Sequence, residues 1–288
     1  SSATLGVASP VHEERGTLTN LSWTIDGREL GARFSIRPIS LINDLVATAW
    51  SIDAIGDEDL FVLKPGIPQN GNAALIAAGT GLGEAMLIWD GRRHIPSASE
   101  GGHADFAARS PLEADLLDYL SEIHGHVSYE RVLSGSGLVS IYSFLKSRRD
   151  SVEPAYLANR FEAEDPAAVV SSEAINGHNR DSADALDMFV SVYGAEAGNL
   201  ALKGLAKGGV YIAGGIAPKI LPAMEKGGFV EGFVKKGRFE RLMESIPVYV
   251  IMNQRAGLWG AAIHASRSST EGAQRVAIRS IVDRSGQR

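Results

Sequence analysis

The chain has 288 residues, 44% of them hydrophobic and 22% charged, with a net charge of −6 and a pI near 5.7. This size predicts a globular protein with one large domain or two moderate ones, and the acidic balance argues against a nucleic-acid partner. The absence of cysteine excludes disulfides, thiolate metal sites and a cysteine nucleophile. No apolar run reaches the roughly 18 residues that a transmembrane helix needs, so we expect no membrane partner and a cytoplasmic protein.

The first part of the chain alternates strand-like and helix-like segments, which favours the α/β class. Residues 1–11 open almost directly on an apolar run that predicts a strand, and because no leading loop comes before it we expect further sequence upstream. Residues 33–42 predict a second strand, which ends at Asn43 and Asp44 before a helix-like segment at 45–52. These two polar residues either cap that helix, the more common role, or take part in chemistry at the end of the strand.

A connection and a glycine-rich turn follow. Residues 53–73 collect Gly, Pro, Asp and Asn, which indicates a loop and a candidate domain boundary. Residues 74–90 read as a strand, a glycine turn and a second strand. A dinucleotide fingerprint is the weakest interpretation, because Glu84 occupies the position of its third glycine and a strand follows instead of a helix.

The turn itself, GTGLG, has two remaining interpretations. It is either an ordinary β-hairpin or a loop that binds phosphate, since glycine lets backbone N–H groups approach an anion and Thr80 adds a hydroxyl donor. The candidate phosphate-binding residues are Gly79, Thr80, Gly81 and Gly83.

Two later loops carry polar side chains that could share one small ligand. In residues 97–107, Glu100 and His103 lie on either side of a glycine pair, although a surface loop with a His103–Asp105 pair is favoured on spacing alone. The spacing is too poor for a metal site. In residues 129–138, Glu130 precedes a helix-like turn, and a solvated surface charge is the default interpretation of a single glutamate.

The remaining segments complete an α/β pattern. Residues 112–123 and 182–203 have the apolar spacing of helices. Residues 208–219 predict a buried strand that ends at Gly214 and Gly215. The last segment, 267–288, contains five arginines and predicts a fraying tail or a surface helix.

The order of these motifs resembles the bacterial glucokinase family of the non-repressor type, from about Ala3 to His264. The most specific segments are EGGHADF and ERVLSGSGL, joined by the earlier Asn-Asp and GTGLG and the later VYIAGGI and AGLWGAA. The resemblance implies an α/β, two-domain actin-like ATPase (sugar kinase, hexokinase) fold with a cleft between a small and a large domain. We expect residues 1–54 and 255–288 in the small domain and residues 55–254 in the large one.

The resemblance also implies a function and a role for each motif. The family transfers a phosphoryl group from ATP, with Mg²⁺, to the 6-hydroxyl of glucose, and its members form homodimers. Asp44 matches the catalytic base. The residues matching the sugar binders are Asn43, Glu100, His103 and Glu130. The residues matching the nucleotide contacts are Gly79, Thr80, Gly81, Gly83, Gly214 and Gly215.

One family motif is not found in this sequence. The family opens on a D-x-G-G-T-N-x-R loop that holds Mg²⁺ and the phosphates, so we expect a small domain truncated at its N-terminus, no metal ligand in this chain, and impaired nucleotide binding. Two other functions stay open. One is a kinase of another hexose, such as N-acetylglucosamine or mannose, and the other is a non-catalytic sugar-binding relative.

Overall fold

The computed structural model describes residues 2–17, 23–67 and 69–268, which contain both strands and helices. The strands are β1 (Ala3–Val7), β2 (Val11–His12), β3 (Arg15–Thr17), β4 (Thr24–Asp26), β5 (Ile39–Asn43), β6 (Leu60–Lys64), β7 (Ala73–Ala78), β8 (Leu82–Trp89), β9 (His94–Ser99), β10 (Gly209–Ala213) and β11 (Val248–Ile251). The helices are α1 (Gly27–Phe34), α2 (Asp44–Ser51), α3 (Pro111–His124), α4 (Gly135–Arg148), α5 (Ala155–Ala163), α6 (Pro166–Ile175), α7 (Arg180–Gly204), α8 (Leu221–Met224), α9 (Gly228–Val234), α10 (Glu240–Ser245) and α11 (256–268).

The largest sheet has six strands in the order β6-β11-β10-β7-β8-β9. Strands β11, β10 and β7 are parallel to one another, whereas β6 on one side and β8 and β9 on the other are antiparallel to their neighbours. A parallel sheet centre is buried on both faces, which fits the uniformly apolar AALIAA of β7. Two smaller sheets pair β1 with β5 in parallel and join β2, β3 and β4.

Helix α7 is the main support of the large sheet. It packs against α4, α6 and α9, and buries Phe189 and Tyr193 completely. The Tyr193 hydroxyl accepts a hydrogen bond from the Ala78 N–H at 3.1 Å, which ties the helix to the end of β7. The predicted helices at 112–123 and 182–203 and the buried strand after residue 208 are therefore confirmed. No helix in the described ranges has the length and apolar character needed to cross a membrane.

The strand predicted at 33–42 starts later than expected. Phe34 is the last residue of α1, and β5 begins only at Ile39. The sequence signal for the helix is Asp26, whose side chain caps α1 by accepting hydrogen bonds from the N–H groups of Arg28 and Glu29. Ser35 then ends the helix in the left-handed region, with φ of 54°.

The loop predicted at 53–73 contains a strand. Leu60–Lys64 forms β6, which pairs antiparallel with β11 at the edge of the large sheet. The segment contains a run of four apolar residues, LFVL, that is long enough to form a strand. The sequence analysis did not predict this strand because turn-forming residues flank the run on both sides.

The end of the described chain returns to its beginning. In α11, His264 Nδ1 lies 2.9 Å from Thr4 Oγ1, and a Cβ at Gly260 would clash with the Ala47 carbonyl of α2. Helix α11 therefore packs against the elements formed by the first residues. The predicted tail at 267–288 lies almost wholly outside the described residues.

Candidate active site

Asn43 and Asp44 stand where β5 ends and α2 begins. Asn43 Oδ1 caps the helix by accepting hydrogen bonds from the N–H groups of Leu45 (2.9 Å) and Val46 (3.2 Å). The amide NH₂ of Asn43 is therefore turned away from the helix as a donor. Asp44, the first residue of α2, is exposed, and its negative charge is favoured at the positive end of the helix dipole.

The GTGLG segment is the tight turn of the β7–β8 hairpin. Gly79 N–H donates to the Gly81 carbonyl at 2.8 Å, and the Gly79 carbonyl accepts the Gly135 N–H at 2.9 Å. The second bond joins the turn to the start of α4, where Ser134 caps the helix. Thr80 is exposed at the tip. The predicted strand, glycine turn and strand are confirmed, and the dinucleotide fingerprint is wrong because no helix follows the turn.

Two glycines of this hairpin allow close contact with candidate site residues. A Cβ at Gly83 would lie 3.0 Å from the Leu45 side chain, so the hairpin packs against the residue that follows Asp44. A Cβ at Gly81 would clash with Glu130 Oε2, the atom that accepts the Leu82 N–H at 3.0 Å. The glycines thus bring the turn against both α2 and Glu130.

Glu100 and His103 are exposed and form one cluster with the partly buried Glu130. His103 Nε2 lies 3.9 Å from Glu100 Oε2, and His103 Nδ1 lies 3.9 Å from Glu130 Oε1. The favoured alternative for this loop, a His103–Asp105 pair, is wrong because Asp105 pairs with His126 at 2.8 Å. A 3₁₀ turn at Gly101–His103 places Glu100 and His103 on the same side of the loop.

A cavity of about 470 Å³ lies between Asn43 and Glu100. Asn43 and Val46 line it from β5 and α2, and Ser99 and Glu100 line it from the end of β9. Its volume is within the range of small-molecule pockets. The chain segment around Pro10 and Val11 covers its remaining side.

Gly214 and Gly215 follow β10, next to the hairpin. Gly214 has φ of +86°, and a Cβ there would lie 2.5 Å from the Ala78 carbonyl, just before Gly79. Gly215 has open space where a Cβ would be. The predicted glycine pair therefore borders the hairpin turn, with one glycine required by the backbone and the other facing open space.

Glu84 and Glu196 are site-related residues that the sequence analysis did not identify. Glu84 lies on β8 directly behind the Gly101–His103 turn, and Glu196 lies on α7. One signal was present, because Leu82, Glu84 and Met86 share one face of the strand by alternation, and a charged residue between two apolar ones is unusual there.

The site combines side chains that are able to hydrogen-bond hydroxyl groups with an exposed carboxylate. The amide of Asn43, the imidazole of His103 and the carboxylates of Glu100 and Glu130 suit the donors and acceptors of a polyhydroxylated ligand. Asp44 offers a proton acceptor at the edge of the same region. In the described parts of the chain, no group of three or more His, Asp or Glu side chains could hold a metal ion.

Comparisons with known proteins agree with this chemistry. The sequence model of the glucokinase family matches residues 1–268. A glucokinase of Nostoc sp. (strain PCC 7120) is 46% identical over 279 residues, which cover 92% of this chain and 82% of the relative. A glucokinase of Synechocystis sp. is 44% identical over 281 residues, covering 92% of this chain and 79% of the relative.

Solved structures extend the likeness to the fold. The crystal structure of a glucokinase from an Antarctic psychrotroph superposes with a TM-score of 0.81 at 32% identity, covering 92% of this chain and 80% of the other. A glucokinase from Balamuthia mandrillaris in complex with glucose gives a TM-score of 0.77 at 22% identity, covering 93% of this chain and 78% of the other. At 22% identity, the similarity to the Balamuthia mandrillaris structure shows a shared fold only.

Proposed function

The chain belongs to the glucokinase family and is thus an ATP-dependent hexose kinase, and we propose that it phosphorylates the 6-hydroxyl of glucose with Asp44 as the base. A base needs to reach the attacking hydroxyl within hydrogen-bond distance. The position of Asp44 supports this role, because the residue is exposed beside the cavity that Asn43 and Glu100 line. Phosphoryl transfer depends mainly on alignment and charge stabilisation, so a carboxylate suffices.

Asn43, Glu100, His103 and Glu130 bind the sugar in this proposal. The capped Asn43 presents its amide NH₂, and the carboxylates of Glu100 and Glu130 accept hydrogen bonds from sugar hydroxyls. The 3.9 Å separations around His103 are longer than hydrogen bonds, so Glu100, His103 and the Oε1 atom of Glu130 are available to a ligand.

The nucleotide lies along the glycine turns in this proposal. Gly79, Thr80, Gly81 and Gly83 approach the phosphates, with backbone N–H groups and the exposed Thr80 hydroxyl as donors. Gly214 and Gly215 approach the adenosine. The contact between Gly83 and Leu45 supports this arrangement, because it puts the phosphate-binding turn next to the residue that follows the base.

Mg²⁺ enters with ATP in this proposal. The described residues offer no set of side chains that fits a protein-held magnesium ion, so we assign no ligand and no catalytic step to one. Mg²⁺ commonly keeps its waters and binds through substrate phosphates, where it neutralises charge.

The remaining expectations concern organisation. We propose a small domain of residues 1–54 and 255–288 and a large domain of residues 55–254, closing around the sugar. Two facts support the division: the strands of the six-stranded sheet lie between residues 60 and 251, and α11 packs against α2. A cytoplasmic homodimer follows from the family resemblance, and light scattering of the purified chain would test it.

The convergence of Asn43 and Glu100 on one cavity, with the GTGLG turn packed against Leu45, carries the proposal. A calorimetric titration with glucose tests it, with galactose as the epimer control and Asp44→Ala measured alongside. Selective binding of glucose is expected, with ATP-dependent turnover lowered by the impaired nucleotide binding that the sequence predicts. A folded sample that prefers N-acetylglucosamine or mannose would transfer the activity to another hexose, and binding without turnover would favour the non-catalytic alternative.

A further inference from the structure

Two carboxyl groups are buried together behind the Gly101–His103 turn. Glu84 on β8 is 2% exposed, and Glu196 on α7 is 0% exposed. Burial foremost, then the negative charge of Glu196 and a hydrogen bond between the two carboxyl groups, raises the pKa of Glu84 to about 8. One of the two groups therefore holds a proton at neutral pH.

The surrounding donors indicate that Glu84 is the neutral member. Glu196 accepts a hydrogen bond from Asn199 Nδ2 at 2.8 Å and lies 3.4 Å from Lys203 Nζ. By contrast, Glu84 Oε1 is buried and has no hydrogen-bond partner among the described residues. A buried carboxylate needs such donors far more than a neutral carboxyl group does.

This pair contacts the backbone beneath both sugar-binding segments. A Cβ at Gly101 would clash with Glu84 Oε2, so the carboxyl group lies directly under the residue that follows Glu100. On the other side, Asn199 Nδ2, which donates to Glu196, also donates at 3.1 Å to the hydroxyl of Tyr129, the residue before Glu130. One buried network thus reaches the main chain at Glu100 and at Glu130.

We propose that Glu84, as a neutral carboxyl group beside Glu196, is a positioning residue that holds the Gly101–His103 turn in the geometry that binds the sugar. Ionised Glu84 would put two negative charges in a layer closed to water, and only opening the turn would hydrate them. Sugar binding and the neutral state of Glu84 therefore favour each other. This inference rests on the proposed sugar-binding roles of Glu100, His103 and Glu130.

Several other groups near Glu84 could respond to pH. From α7, Glu196, Lys203 and Tyr193 act on Glu84 electrostatically, and from β9 the nearest polar side chain is Ser99. Behind Glu196, Lys236 reaches Asn199 Oδ1 at 2.6 Å, and burial foremost lowers the pKa of Lys236 to about 8. Lys236 is therefore the main competing explanation for any pH effect in this range.

The experiment is a calorimetric titration with glucose between pH 6.5 and 9.5, on the unchanged chain and on Glu84→Gln. We expect glucose affinity to fall about threefold to tenfold above pH 8 in the unchanged chain, because each unit of linked pKa change corresponds to a factor of about ten. Glu84→Gln, which is permanently neutral, should keep the affinity at pH 7 and lose the pH dependence.

Glu173→Gln is the matched control. Glu173 is another buried glutamate, 2% exposed, but it lies on α6 and pairs with Arg160 away from the turn. Glu173→Gln should leave the pH dependence of glucose affinity unchanged even if its stability falls.

The outcomes separate this proposal from the proposed function. A flat pH profile in the unchanged chain overturns the role of Glu84, as does a profile that persists in Glu84→Gln and so belongs to Lys236 or another group. Neither result would contradict the proposal that the chain phosphorylates glucose. A folded chain that binds no glucose at any pH would instead refute the proposed sugar site.

Discussion

The two sides of the Gly101–His103 turn use polar groups in opposite ways. On the cavity side, the Glu100 and His103 side chains are 66% and 60% exposed and lie 3.9 Å apart, too far for a strong bond. On the inner side, Glu196 is fully buried and accepts hydrogen bonds from Asn199 and Lys203. The difference teaches that side chains able to bind a ligand have only weak partners within the protein. The backbone that carries them is instead stabilised by the buried polar groups on its inner side.

The strongest test of the cavity side is Asp44→Ala. We expect kcat to fall by about 10²- to 10⁴-fold, because general base catalysis contributes that much, while glucose affinity changes by less than about tenfold. A coupled assay for ADP release and calorimetry with glucose measure the two effects. Melting temperature should stay near that of the unchanged chain, since Asp44 is exposed.

Asp44→Asn is the matched control for shape. It keeps the size and most hydrogen bonds of the side chain but cannot accept the proton, so its kcat should be as low as that of Asp44→Ala. Turnover within a few-fold of normal in Asp44→Asn would remove Asp44 from the chemistry and leave it as a helix-start residue.

The next test compares two neighbouring glycines, one closely packed and one facing open space. Gly214→Ala should lower the free energy of unfolding by about 1 to 3 kcal/mol, because it forces an alanine to φ of +86° and toward the Ala78 carbonyl. Gly215→Ala, which meets nothing within 4 Å, should fold normally and change only nucleotide affinity. Urea unfolding and ATP titration measure these effects. Equal stability of the two variants would contradict the packing argument.

The exposed and the buried side of the Gly101–His103 turn also differ in how far the sequence could predict them. The hairpin and the helix at 182–203 were predictable because glycine turns and apolar spacing are local signals. The motif resemblance assigned Asn43, Glu100 and Glu130 to one sugar site, although residue spacing alone favoured a capping or surface role for each, and that assignment stays a prediction. The pairing of Glu84 with Glu196 was not predictable, since it depends on how α7 packs on β8. Strand β6 was missed because surrounding turn residues outweighed its short apolar run.

A smaller effect should separate the two roles of Asn43. Asn43→Ser keeps a good helix cap, so stability should change by less than about 0.5 kcal/mol. The shorter side chain has no amide NH₂ to offer a sugar, and glucose affinity should fall about tenfold, as expected for one lost hydrogen bond. Asn43→Ala should lose both functions, with about 1 kcal/mol of stability. Unchanged glucose affinity in Asn43→Ser would leave Asn43 as a cap only.

The smallest predicted effect concerns His94, whose side-chain burial is intermediate between that of the exposed Glu100 and His103 and that of the buried Glu196. Its ring nitrogens lie 2.6 Å from Asp53 Oδ1 and 3.0 Å from the Gly71 carbonyl. Burial lowers the pKa of His94, but these two acceptors together outweigh burial and hold it above the ordinary value of 6.5. Burial likewise raises the pKa of Asp53, but its bonds to His94 bring it below the ordinary value.

The sign of the pH effect follows from these directions. Because the folded-state pKa of His94 is raised, its stabilisation is complete below about pH 6.5 and is lost as pH rises through the folded value, while Asp53 stays ionised throughout. His94→Gln should therefore destabilise the chain by about 1 kcal/mol more at pH 6 than at pH 9 in urea unfolding. His126→Gln, whose partner Asp105 is 91% exposed, should show no such difference. An equal pH effect in both variants would mean that partial burial does not strengthen the His94–Asp53 pair, and that only fully buried groups such as Glu196 fix the fold.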